Sequence, residues 1–125
     1  MTLFKSHRPE YADGEQKRDF VYIKDVVDVM FLFSRRKDIR GIFNLGTGEA
    51  HTWNRLAKAI FSAMNRKCTI DYIDMPDDIR PKYQYFTQAD MTKFKRLQLG
   101  FEFTSLEKSV NDYVQNYLMA ENKYI

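Results

Sequence analysis

The sequence predicts one α/β domain, and three observations carry that reading. Short apolar runs alternate with helically spaced ones in the order β-α-β-α-β. Two further helical patterns close the chain. Hydrophobic residues make up 44% and charged residues 30%, with only five glycines and three prolines, a composition for a packed core and not for a linker or a disordered tract. The 125 residues suffice for one such core and are too few for two. Taken alone, the order predicts a small parallel sheet with crossover helices.

Residues 5–18 read as polar loop, with Asp13-Gly14 as a turn signal. Phe20-Val21-Tyr22-Ile23 is short, β-branched and aromatic, and predicts a strand. From Asp25 the period changes: Val26, Val29, Met30 and Phe33 share one helical face, and Asp25 can cap the helix. Its β-branched residues are mediocre helix formers, so burial must hold it together. Gly41-Ile42-Phe43-Asn44-Leu45-Gly46 predicts a second, buried strand, followed by a turn at Gly46-Thr47-Gly48.

Thr52 is placed to cap a helix carrying Trp53, Leu56, Ala57, Ile60, Phe61 and Met64 at helical spacing. Residues 68–73 alternate apolar and polar side chains, as a half-exposed strand does, and Met75-Pro76-Asp77-Asp78 ends it. An irregular stretch from Arg80 to Thr87 leads into a short helix over about 89–97, stopped at Gly100. Thr104-Ser105-Leu106-Glu107 reads as a capping box. The helix behind it places Leu106, Val110, Tyr113, Val114, Tyr117 and Leu118 on one face, and beyond Ala120 fraying is expected.

Cys68 is the only cysteine, which rules out an internal disulfide and points to a reducing, cytoplasmic setting. No apolar run approaches the ~18 residues that span a membrane, and the first residues lack the apolar core of a signal peptide. The net charge of +3 is mild and the signs are interspersed, so neither a membrane nor a nucleic-acid partner is expected. A small module binding nucleotide or RNA through its aromatics and mild positive charge is the alternative class.

Catalytic motifs are missing. Gly46-Thr47-Gly48 has His51 where a dinucleotide fingerprint needs its third glycine. The Gly41–Gly46 spacing of a phosphate loop is followed by Thr47 instead of lysine. His7, His51 and Cys68 are too scattered for a metal site, and no tyrosine is followed by lysine four residues later. One arginine stands out. Arg18 lies where a polar loop enters an apolar run, a position from which a guanidinium can hold a phosphate in two-pronged fashion or pair with Asp19.

Lys17 to Val26, reading KRDFVYIKDV, resembles the RDFVYVxDV segment of extended short-chain dehydrogenase/reductases that act on nucleotide sugars. Ile42 to Gly48, reading IFNLGTG, is similar to the xxNLGTG strand and turn of the same superfamily. Tyr83 to Met91, reading YQYFTQADM, resembles a segment of ADP-glyceromanno-heptose 6-epimerases. The similarity covers nearly the whole chain.

This resemblance implies the C-terminal, substrate-binding part (residues 1–125) of a Rossmann-type enzyme, with few short strands and packed helices. It implies an N-terminal Rossmann domain, absent here, that binds NADP and supplies the catalytic tyrosine and lysine. The implied reaction inverts C6'' of an ADP-heptose by transient oxidation, for lipopolysaccharide synthesis. By analogy Arg18 grips the diphosphate of an ADP-sugar, Tyr83 contacts substrate, and Phe4, Lys5, Ser6 and His7 line the nucleotide side of the pocket. The loop from Arg8 to Glu15 differs in length among relatives. The strand at 42–45 is expected to join a sheet completed outside this chain, which leaves exposed edges and predicts a homo-oligomer.

Overall fold

The computed structural model describes residues 1–121 and bears out the α/β class with few, very short strands packed against helices. In chain order these are β1 (Thr2–Phe4), β2 (Lys17–Arg18), α1 (Ile23–Ser34), β3 (His51–Thr52), α2 (Trp53–Ala63), β4 (Asp71–Ile73), β5 (Phe86–Thr87), α3 (Thr92–Lys95) and α4 (Leu106–Tyr113). A wide π turn, Val114–Leu118, continues α4.

The strands form two small ladders in place of one parallel sheet with crossovers. β1 pairs parallel with β4, placing Phe4 opposite Ile73. β2 is the centre of the other ladder, antiparallel to β3 and parallel to β5, with Arg18 opposite both His51 and Thr87. Two segments expected as strands fall outside both ladders. Phe20–Tyr22 is extended but has no ladder partner among the described residues, and α1 already begins at Ile23. Its side chains face α2 and α4 instead: Phe20 meets Trp53 edge-on at 5.1 Å, and Phe20 to Tyr22 border a groove of about 310 Å³ with Leu56, Leu106 and Val110.

Residues 42–45 are likewise unpaired, and Ile42 is 89% exposed. Phe43 and Leu45 nevertheless pack inward, Phe43 meeting Phe33 at 5.2 Å and Leu45 lying against the cluster of Val29, Met91 and Phe94. Apolar composition signals burial; a strand also needs a neighbour, and composition alone cannot supply one. The polar loop expected over 5–18 contains β2, and the strand expected over 68–73 shrinks to the three residues that meet β1.

The helices follow the sequence more closely. Thr52 caps α2 as expected, its hydroxyl accepting from the Arg55 N–H at 3.1 Å. Ala57, Ala59 and Ala63 are buried, small enough to bring α2 close to α4 and its continuation. On α1 only Val29 and Phe33 reach the main core; Met30 stays 64% exposed, off the face its spacing predicted. Asp25 does not cap α1, because the helix starts two residues earlier behind Tyr22. Asp25 is instead buried in the first turn, accepting from the Thr104 N–H at 2.7 Å and its hydroxyl at 2.8 Å.

That contact also dissolves the capping box. Thr104 is spent on Asp25 and Glu107 on Arg55, so Ser105 precedes α4 without a side-chain cap. The helix expected over 89–97 is a single turn, α3. The chain already reaches a positive φ of 49° at Gln98, before Gly100.

Candidate functional site

The site begins with the brace behind β2. Asp19 follows Arg18, and its carboxylate gathers two distant segments. Oδ1 accepts from the Thr47 N–H at 2.8 Å and hydroxyl at 2.6 Å; Oδ2 accepts from the Gly48 N–H at 2.9 Å and the Ala89 N–H at 3.1 Å. Gly46 makes this convergence possible, since a Cβ there would lie 2.6 Å from both Ala89 Cβ and Asp19 Oδ2. Burial pushes the Asp19 carboxyl up, but the hydrogen bonds from Thr47, Ala89 and Gly48 outweigh it and hold it below its ordinary value.

Two consequences follow. Asp19 is committed to backbone amides, and among the described residues Arg18 meets no carboxylate. The Gly46-Thr47-Gly48 turn also has its Thr47 and Gly48 N–H groups occupied, so it offers no cradle for a dinucleotide pyrophosphate. The turn is a structural joint that ties β2 to the segment before β3.

Arg18, on the central strand, donates from Nη1 to its neighbour's carbonyl, Lys17 O, at 2.8 Å. Its guanidinium carbon stands 5.3 Å from the centre of the Tyr83 ring. Tyr83 in turn meets Phe4 edge-on at 6.3 Å and Tyr85 at 5.5 Å. The fold reason is direct: β5 runs parallel to β2, so the segment entering β5 passes the side chain of Arg18, and β1 delivers Phe4 from the other ladder.

Tyr85 is the hub that sequence reasoning missed. It is 4% exposed, and its hydroxyl accepts from the His7 N–H at 2.9 Å. His7 Nδ1 lies 2.8 Å and Ser6 Oγ 3.4 Å from that same hydroxyl. Tyr11 packs on the ring at 4.9 Å, and the Arg8 guanidinium covers it at 4.7 Å. Five of the six residues expected at the site therefore converge on the Tyr83–Tyr85 pair: Arg18, Phe4, Ser6, His7 and Tyr83 itself. Lys5 does not. Its ammonium pairs with Asp74 at 3.2 Å, away from the tyrosines.

A second cation–tyrosine cluster lies beside α4. Lys24 stands 5.0 Å from the Tyr117 ring and 5.8 Å from Tyr22, and Asp112 accepts from both the Lys24 ammonium, at 2.7 Å, and the Tyr22 hydroxyl. The hydrogen bond from Lys24, then that from Tyr22, draws the Asp112 carboxyl down to about 2. Burial, then Asp112, pushes the Tyr22 phenol up to about 12. This cluster is neutralised from within.

An α/β scaffold that sets an arginine on tyrosines is suited to binding an aromatic, anionic ligand. Residues 4–46 match the model of the NAD dependent epimerase/dehydratase family. Over its whole length the chain is similar to members of that family.

The chain is 48% identical over 125 residues to the ADP-L-glycero-D-manno-heptose-6-epimerase of Nitratidesulfovibrio vulgaris, a match over 100% of this chain and 39% of that protein. The crystal structure of the Helicobacter pylori ADP-L-glycero-D-manno-heptose-6-epimerase superposes with a TM-score of 0.69 at 26% identity, over 93% of this chain and 32% of that one. The UDP-glucose-4-epimerase of Stenotrophomonas maltophila, with bound NAD and formylated UDP-arabinopyranose, shares the fold, with a TM-score of 0.68 at 23% identity over 89% of this chain and 32% of that one. The chain thus spans about two fifths of the length of the curated relatives it matches.

Proposed function

We propose that this chain is the C-terminal, substrate-binding part of an ADP-L-glycero-D-manno-heptose 6-epimerase and that it holds the ADP moiety of the sugar nucleotide. The observation that carries the reading is the Arg18–Tyr83 pair, a guanidinium 5.3 Å from a tyrosine ring and without a carboxylate among the described residues. A guanidinium without an internal counter-ion can give charge-assisted hydrogen bonds to a diphosphate, while Tyr83 and Phe4 offer aromatic surface to the base. The similarity to heptose epimerases over the whole chain supports ADP over other nucleotides.

The part of the reaction assigned to this chain is binding and orientation. Inverting a carbon by oxidation and reduction requires a nicotinamide, NADP in this reading, and a proton-transfer group; both belong to a Rossmann segment beyond these 125 residues. The placement in lipopolysaccharide synthesis, the cytoplasmic setting and the homo-oligomer belong to the same proposal. Among the described residues no helix is long and apolar enough to cross a membrane.

Equilibrium titration of the chain with ADP, UDP and GDP tests the reading. ADP should bind most tightly, and no epimerisation should be seen when NADP and ADP-heptose are added to the chain alone. A preference for UDP or GDP overturns the substrate assignment. Measurable turnover overturns the division of labour.

A further inference from the structure

Resting on the ADP-binding reading, we infer that the loop from Ser6 to Glu15 adds a second anion ligand, Arg8, and that Arg8 and Arg18 together select a diphosphate over a monophosphate.

The geometry repeats itself at two adjacent rings. Arg18 covers Tyr83 at 5.3 Å and Arg8 covers Tyr85 at 4.7 Å, while the two rings are 5.5 Å apart. Neither guanidinium meets a carboxylate among the described residues. Stacking occupies only the face of each guanidinium; Arg18 Nη1 donates to Lys17 O at 2.8 Å, and the other in-plane N–H groups of both arginines have no hydrogen-bond partner among the described residues. Lys24 shows the other outcome, a cation over tyrosines that is closed off by Asp112.

The loop that carries Arg8 is built, not loose. The Ser6 N–H donates to Asp13 Oδ1 at 2.7 Å, and the Arg8 N–H to Ser6 Oγ at 3.1 Å. The His7 N–H is fixed on the Tyr85 hydroxyl. On the far side Asn54, from α2, donates to Asp13 O at 2.8 Å and to Glu15 Oε1 at 2.7 Å. Both ends of the loop are therefore tied, and Arg8 is delivered to the Tyr85 ring by backbone contacts that do not involve its own side chain. Truncating Arg8 should leave the loop in place.

Two cations on neighbouring rings match the two phosphoryl groups of a nucleoside diphosphate better than the one of a monophosphate. Each charge-assisted contact can contribute a factor of roughly ten or more in affinity.

Calorimetric titrations with ADP and AMP on the parent chain and on Arg8→Ala, Arg8→Lys and Arg18→Ala provide the test. The parent should prefer ADP by about tenfold or more, Arg8→Ala should remove most of that preference, and Arg8→Lys should restore part of it. An ADP-to-AMP ratio unchanged by Arg8→Ala, with binding still dependent on Arg18, overturns the role of Arg8 and leaves the ADP reading standing. Failure of the parent chain to bind either nucleotide overturns both.

Discussion

Two clusters in this molecule use the same materials and end differently. Beside α4, Lys24 rests on Tyr117 and Tyr22 and is met by Asp112 at 2.7 Å. At the entrance to β5, Arg18 and Arg8 rest on Tyr83 and Tyr85 and meet no carboxylate among the described residues. The first cluster joins the start of α1 to α4, and its charge is spent on that join. The second keeps its positive charge for something else. A cation on an aromatic ring is thus a poor sign of function by itself; the informative feature is whether an acid completes it.

The largest effect should come from the brace behind the open cluster. Asp19→Ala leaves three backbone N–H groups and a hydroxyl without their acceptor, which should cost about 2 kcal/mol, read from urea unfolding. A cost below about 0.5 kcal/mol would mean that the Asp19 contacts do not hold Arg18 in place.

Next in size is Arg18→Ala. ADP affinity should fall by roughly tenfold to a hundredfold, the equivalent of about 1.5–3 kcal/mol, with little change in stability. Equal losses of stability and affinity would make Arg18 a structural residue like Lys24, and the contrast between the clusters would collapse.

Smaller effects should mark the closed cluster by its pH dependence. Asp112 titrates lower when folded, near 2, than in the unfolded chain near 4. Its contribution is therefore complete above about pH 4 and lost as the pH falls toward 2. Tyr22 titrates higher when folded, near 12, so its contribution is complete below about pH 10 and lost as the pH rises toward 12. Asp112→Asn should flatten the acid limb of the stability profile and Tyr22→Phe the alkaline limb. Neither should alter ADP affinity at neutral pH.

Helices and ladders were unequally legible in the sequence. The start of α2 at Thr52 and the apolar face of α4 depend on neighbours three and four residues away, so periodicity reaches them. Strand status depends on a partner far along the chain. Phe20–Tyr22 and residues 42–45 have the composition of strands but no ladder, whereas Lys17–Arg18, in a polar stretch, lies between β3 and β5.

The site divides in the same way. Arg18 stood out from its place where a polar loop enters an apolar run, and family resemblance then gave it a role and added Tyr83, Phe4, Ser6 and His7. Tyr85, Asp19 and Arg8 escaped because their partners lie far off: Asp19 bonds to an amide 70 residues later, and His7 to a hydroxyl 78 residues later. A period of two did place Tyr83 and Tyr85 in register, a signal that a pairwise reading of that segment could have used.

Amide-resolved NMR titration of the chain with ADP tests the account most directly. The prediction is saturable shifts concentrated at Arg18, Tyr83 and Tyr85, none at Lys24 or Asp112, and their loss in Arg18→Ala. Shifts that centre on the Lys24 cluster, or that survive unchanged in Arg18→Ala, would contradict the claim that the open arginine–tyrosine face is the nucleotide site.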